Sequence, residues 1–180
     1  AIAPFLVEAG ADCLSITTGT NFTRLYTIPP MGYPKGLNID ATATVKHAVD
    51  VPVIVVGRMN DPILAESVLK SGKADLIAMG RGLVADPELP NKLKEHRFDD
   101  IRSCIGCNQG CMGGLIGGIP FTCLVNPVAG REQEMQLKPA SVSKKILVAG
   151  GGPAGMEAAR VLALRGHKVA LYEKNDCLGG

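Results

Sequence analysis

Tryptophan is absent, and only 4% of the residues are aromatic. Side chains on which nucleic-acid bases could stack are therefore poorly supplied. The net charge is +2, with charges scattered along the chain, so no basic stripe points to nucleic acid. No apolar run reaches the length of about 20 residues that a membrane span needs. No charged segment precedes an apolar stretch at the start, which argues against a signal peptide. Histidine is scarce: His47, His96 and His167 fall in or at the end of predicted helices and read as solvated surface residues. What is abundant is glycine, with 22 residues, and proline, with 12, in a chain of 180 that is 46% hydrophobic. That composition describes a globular, loop-rich chain of one domain or slightly more. Six cysteines without secretory features predict a metal or redox role and a cytoplasmic location.

Four of those cysteines are concentrated in CIGCNQGCMGGLIGGIPFTC, at Cys104, Cys107, Cys111 and Cys123. Thiolates are soft ligands suited to iron–sulfur clusters or zinc. Two of them three residues apart can bind one centre from a single turn, and the distant Cys123 can close the site from another loop. The glycines between them allow positive φ and close backbone approach. Zinc sites more often pair two short C-x2-C knuckles. A disulfide framework suits small secreted chains better than these flanks. The pattern favours an iron–sulfur cluster, with zinc and disulfides as the alternatives.

Upstream, short apolar stretches alternate with helical ones. A helix over Ile2–Ala9 stops at Gly10, and Cys13–Ile16 reads as a strand. Residues 17–36 form a long polar loop, and a loop of that length is usually functional. Asp40 is expected to cap a helix running to about Val49. Val51–Val56 has the Val- and Ile-rich character of a strand buried on both faces. Asp61 and Pro62 mark the start of a helix that ends at Ser71–Gly72. Leu76–Met79 is a short buried strand followed by a Gly80-Arg81-Gly82 loop, and a last helix covers Pro87 to about His96. This order predicts a parallel α/β fold, either an open sheet or part of a (β/α)8 barrel.

Gly57-Arg58 and Gly80-Arg81 lie just past two of these strands. Glycine admits a phosphate to the backbone, and arginine supplies a planar charged fork. Either arginine alone reads as a surface residue. Their repetition at equivalent positions favours a phosphate site of the kind that barrels build after their last strands.

Residues 131–143 lack apolar periodicity and read as a linker. A strand over Ile146–Ala149 leads into Gly150, Gly152 and Gly155, spaced G-x-G-x-x-G. A helix over Pro153–Arg165, a strand over Lys168–Tyr172 and then Glu173 follow. A lone glycine triplet is weak, but the complete strand–helix–strand unit with an acid at its tip is the dinucleotide fingerprint. Its parts are a tight turn, a pyrophosphate on the helix N-terminus and a carboxylate for a ribose hydroxyl.

Taken together, SCIGCNQGC, TCLVNP and AGGGPAGMEAA, following the two Gly-Arg pairs, resemble the iron–sulfur flavoenzymes of the old yellow enzyme superfamily. That group includes 2,4-dienoyl-CoA reductase, trimethylamine dehydrogenase and enoate reductases. The resemblance covers essentially the whole chain. It implies the C-terminal part of an FMN-binding (β/α)8 barrel over 1–100, a 4Fe–4S segment over 101–130 and the start of an FAD/NAD(P)-binding domain over 144–180. By the same resemblance, Gly57, Arg58, Gly80 and Arg81 hold FMN, and the four cysteines hold the cluster. Gly150, Gly152, Ala154, Gly155, Glu173 and Gly180, the last paired with Gly179, hold FAD or a related adenine nucleotide. The implied activity is NAD(P)H-dependent reduction of an activated C=C bond, in an enone or a CoA thioester, with electrons passing through FAD and 4Fe–4S to FMN.

One departure stands out. The loop after the first strand, where dienoyl-CoA reductases carry a catalytic histidine, has none. Tyr26 and Arg24 read as ordinary loop residues, so the proton donor is unassigned. An amine dehydrogenase of the same architecture and a zinc-stabilised, non-redox binding module are the competing functions. Both termini read as cut, so a piece of a longer protein, poorly active alone, is expected. The resemblance leaves room for a homo-oligomer of the full-length protein, with no nucleic-acid or membrane partner. Cys13 and Cys177 read as ordinary apolar residues.

Overall fold

The computed structural model describes residues 2–180. It consists of two compact units that meet in sequence between Gly130 and Arg131.

The first unit opens with α1 (Ala3–Glu8), followed by β1 (Leu14–Ile16). Within the long loop lies a single helical turn, α2 (Arg24–Thr27), where only irregular chain was expected. Then come α3 (Ile39–Lys46), β2 (Val53–Val55), α4 (Pro62–Lys70) and β3 (Leu76–Ile77). The three strands pair in parallel in the order β1-β2-β3, with Leu14 opposite Val53 and Val55 opposite Ile77. Val53 and Val55 are fully buried while Ile54 is half-buried, so β2 is sealed on one face only. Leu76 is half exposed, because β3 is an edge strand of the three-stranded sheet.

Helix α4 forms as its sequence dictates. Asp61 accepts hydrogen bonds from the Ile63 and Leu64 amides, and Pro62 occupies the first turn. Ala65 and Val68, three apart, are buried, while Ile63 and Leu69 face outward. Ala65 and Val68 join Val55, Met59 and Ala74 in the core of this unit. Helix α3 departs from expectation. Its N-cap is Asn38, and Asp40 lies in the first turn. The Asn38 side chain makes no cap, because it is buried and committed elsewhere: its Oδ1 accepts from Thr18 Oγ1 at 2.7 Å and its Nδ2 donates to Val56 O at 2.8 Å.

After β3, Gly80-Arg81-Gly82 is not a loop but the first turn of α5 (Gly80–Ala85), and α6 (Leu89–Lys94) follows. The cysteine-rich stretch contains a π-helical turn over Gln109–Gly113 that runs into α7 (Gly114–Gly117).

The second unit contains β4 (Lys145–Ala149), α8 (Pro153–Leu164) and β5 (Lys168–Tyr172). The two strands are parallel, with Ile146 opposite Val169 and Val148 opposite Leu171. These four side chains are half-buried, whereas Leu147 and Tyr172 on the other face are exposed. Among the described residues no helix is long and apolar enough to cross a membrane.

Candidate functional site

Gly57 and Arg58 follow β2, and Gly80 and Arg81 follow β3. All four line one cavity of about 350 Å³ in the first unit. Gly57 has φ +116°, and a Cβ there would meet Asn38 Nδ2 at 2.8 Å. Only glycine satisfies both the dihedral and the space. Arg58 is itself left-handed, with φ +53°. Its Nη1 donates to Met31 O at 3.0 Å and also to Tyr33 O. A guanidinium has five N–H donors, so Arg58 keeps capacity toward the cavity.

Cys104, Cys107, Cys111 and Cys123 line a second, smaller cavity, together with Arg81 and Val84. Arg81, Val84, Cys104 and Cys111 border both cavities. The backbone explains how cysteines so far apart in sequence converge. Gly106 and Asn108 take positive φ, of 71° and 59°, and fold the first knuckle back on itself. The π turn and α7 then carry the chain out, and Gly118, at φ +65°, ends that helix. On the return the Thr122 amide donates to Gly110 O at 3.2 Å, which sets Cys123 beside the first three thiols.

All four thiols are free and half-buried. The Gly106 amide donates to Cys104 Sγ at 3.4 Å. Among the described residues no three His, Cys, Asp or Glu side chains are grouped closely enough to hold a metal ion. Four thiols on one cavity are soft donors of the kind that zinc and iron–sulfur clusters both take. Cys13 and Cys177 are exposed and line neither cavity.

Several side chains that the motifs did not single out hold this arrangement together. Asn60 Nδ2 donates to Cys104 O at 2.8 Å. Asn126 accepts from Arg102 Nη1 at 3.0 Å and donates to Val84 O at 2.9 Å. Asn108 accepts from Arg81 Nη1 at 2.5 Å and donates to Ile28 O at 2.9 Å. Asp86, 4% exposed, pairs with Lys92 at 2.7 Å and accepts from the Arg102 amide at 2.9 Å. Burial opposes ionisation of Asp86. The Lys92 ammonium and the Arg102 and Glu88 amides outweigh it and hold the carboxyl below its ordinary range. Asn108 alone carried a readable signal: asparagine between cysteines tolerates the left-handed conformation. Nothing in the local sequence marks the other three.

His47 and His96 are exposed, as expected, though His96 lies just past α6 with φ +57°. His167 is half-buried instead, because its Nδ1 accepts from the Lys144 amide at 3.2 Å. Tyr26 is partly exposed and packs edge-on against Tyr33, with ring centroids 5.4 Å apart.

In the second unit Gly150 turns the chain with φ +105°, and Gly152 is the N-cap of α8. A Cβ at Gly155 would stand 1.9 Å from Gly150 O, so this turn closes only with glycine there. The Gly179 amide donates to Gly151 O at 2.9 Å, bringing the Gly179-Gly180 pair back to the same loop. Glu173 Oε2 accepts from the Gly151 amide at 2.6 Å and Oε1 accepts from the Asn175 amide at 3.0 Å. These bonds, the Gly151 one foremost, hold its carboxyl below the usual range. Ala154 is exposed in the first turn of α8, beside the unpaired N–H groups of the helix start.

With an arginine-lined and a thiol-lined cavity sharing Arg81, Val84, Cys104 and Cys111, the chain is similar to flavin-dependent oxidoreductases in the comparisons with known proteins. Residues 34–100 match the NADH:flavin oxidoreductase / NADH oxidase family, and residues 148–180 match the NAD(P)-binding Rossmann-like domain. Cinnamate reductase of Clostridium sporogenes is 50% identical over 178 residues, covering 99% of this chain and 27% of the relative. The structure of 2-naphthoyl-CoA reductase with 2-naphthoyl-CoA superposes with a TM-score of 0.93 at 38% identity, over 99% of this chain and 28% of that one. Histamine dehydrogenase from Rhizobium sp. 4-9 gives a TM-score of 0.86 at 32% identity, over 99% and 27%. These matches and the motifs of the sequence both liken the chain to the flavoenzymes of the old yellow enzyme superfamily. It spans about a quarter of the length of the relatives it matches.

Proposed function

We propose that the protein is an oxidoreductase that uses NAD(P)H to reduce activated C=C bonds in small molecules or CoA thioesters. In this reading residues 1–100 form the C-terminal part of an FMN-binding (β/α)8 barrel, 101–130 a cluster segment, 131–143 a linker and 144–180 the start of an FAD/NAD(P)-binding domain. When bound, FMN, a 4Fe–4S cluster and FAD would supply the hydride and electron chemistry. Gly57 and Gly80 would admit the FMN phosphate to the backbone, and Arg58 and Arg81 would neutralise it. Cys104, Cys107, Cys111 and Cys123 would ligate the cluster. The start of α8 with Gly150, Gly152, Ala154 and Gly155 would take the pyrophosphate of the adenine nucleotide. Glu173, with Gly180, would complete that site.

The observation that carries the reading is the set of residues common to two cavities: Arg81, Val84, Cys104 and Cys111 border both the Gly-Arg pocket and the four-thiol pocket. The test is anaerobic purification of the full-length protein, analysis for iron, acid-labile sulfide and flavin, and addition of NAD(P)H. Flavin bleached by NAD(P)H and reoxidised by a cinnamate-type enoate supports the proposal. Zinc without iron or sulfide would end it. The likeness to histamine dehydrogenase supports a second reading, an amine dehydrogenase that passes electrons to a partner. Bleaching by amine, and not by NAD(P)H, would select it.

A further inference from the structure

We propose that Asn108 is a positioning residue that locks the Arg81 guanidinium between the two cavities, so that one cation serves both the phosphate and the thiolate centre. The inference rests on the proposed function, since it takes the two cavities to hold FMN and a cluster.

Asn108 occupies the residue after Cys107, inside the thiol knuckle, with φ +59°. Both ends of its amide are engaged. Oδ1 accepts from Arg81 Nη1 at 2.5 Å, and Nδ2 donates to Ile28 O at 2.9 Å. Its carbonyl accepts from the Gly113 amide at 2.8 Å and so anchors the π turn. One side chain thus ties together three segments: the long loop after β1, the first turn of α5 and the cysteine knuckle. Among the described residues Arg81 makes no ion pair with a carboxylate, and a carboxylate partner would cancel the charge it offers to a phosphate. A neutral amide orients the guanidinium and leaves that charge intact. Arg58 is treated the same way: it is held by the carbonyls of Met31 and Tyr33, and the Met31 amide donates to Gly106 O at 2.9 Å in the knuckle. The phosphate-facing arginines and the thiol knuckle are therefore built as one polar network. A fixed cation beside thiolate-bound iron favours the more negative, reduced state and raises its potential.

The test compares wild type, Asn108→Gly, Arg81→Gln and the double variant, each purified anaerobically with its cofactors. Glycine accepts the left-handed backbone at position 108, so N108G removes the side chain without strain. N108G is expected to weaken FMN binding roughly tenfold, the scale of one hydrogen bond to a charged group. It should lower the cluster potential and leave iron and sulfide content unchanged. R81Q should produce both effects, and N108G should add nothing in the R81Q background. Wild-type FMN affinity in N108G would overturn the proposal, as would loss of iron in N108G or an undiminished tenfold effect in R81Q. If N108G does not fold, R81Q still decides: an unchanged cluster potential overturns the shared-cation role. Wild type lacking iron or flavin would instead refute the proposed function, a result visible before any variant is compared.

Discussion

Asp86 and Arg102, 16 residues apart, are joined by a 2.9 Å hydrogen bond from the Arg102 amide to Asp86 Oδ2. The same oxygen takes the Lys92 ammonium at 2.7 Å, and Oδ1 accepts from the Glu88 amide at 3.2 Å. Asp86 ends α5 and Arg102 stands two residues before Cys104, so a single buried carboxylate sets where the cysteine segment begins.

Removing it should be costly. Asp86→Ala strands the largely buried Lys92 ammonium and is expected to destabilise the first unit by about 3 kcal/mol, read from the urea midpoint. The pH dependence has a definite sign. The folded carboxyl titrates below its unfolded value of about 3.9. Its stabilisation is therefore fully present above that value and is lost as pH falls through the lower, folded one. The midpoint of wild type should fall between pH 5 and pH 2 more steeply than that of Asp86→Asn, and parallel curves would contradict this.

Gly57→Ala tests the turn that presents Arg58. The new Cβ would meet Asn38 Nδ2 at 2.8 Å in a backbone at φ +116°. A loss of roughly 2 kcal/mol is expected, with FMN content falling at the same time. Denaturation and flavin absorbance together check it.

Gly155→Ala separates the two nucleotide sites. Its Cβ would stand 1.9 Å from Gly150 O, so the turn must open. FAD content should drop at least tenfold, on the scale of a 1.4 kcal/mol loss, while FMN and iron stay at wild-type levels. Flavin identity by chromatography after denaturation gives the answer.

Cys123→Ala removes the thiol that arrives from the far side of α7. If four thiolates share one cluster, iron and sulfide should fall together and the visible absorption of the cluster should fade. Full iron retention in this variant would remove Cys123 from the ligand set.

Much of this was legible in the residue order. Alternating short apolar stretches, Asp61-Pro62 at a helix start and G-x-G-x-x-G between two strands are local signals, each depending on backbone preferences a few residues long. The Gly-Arg repeat and the cysteine spacing likewise named the residues that line the two cavities. Local spacing could not show that Gly80-Arg81-Gly82 winds into α5, nor that Asn38 forgoes its cap to bind Val56 O. It also could not show that Asn60, Asn108, Asn126 and Asp86 fasten the cysteine segment to elements up to 80 residues away. An asparagine reads the same in every sequence window. Whether it is a solvated loop residue or a buried clamp depends on which distant carbonyls and guanidinium groups the folded chain brings within about 3 Å of it, and only three-dimensional packing sets that distance.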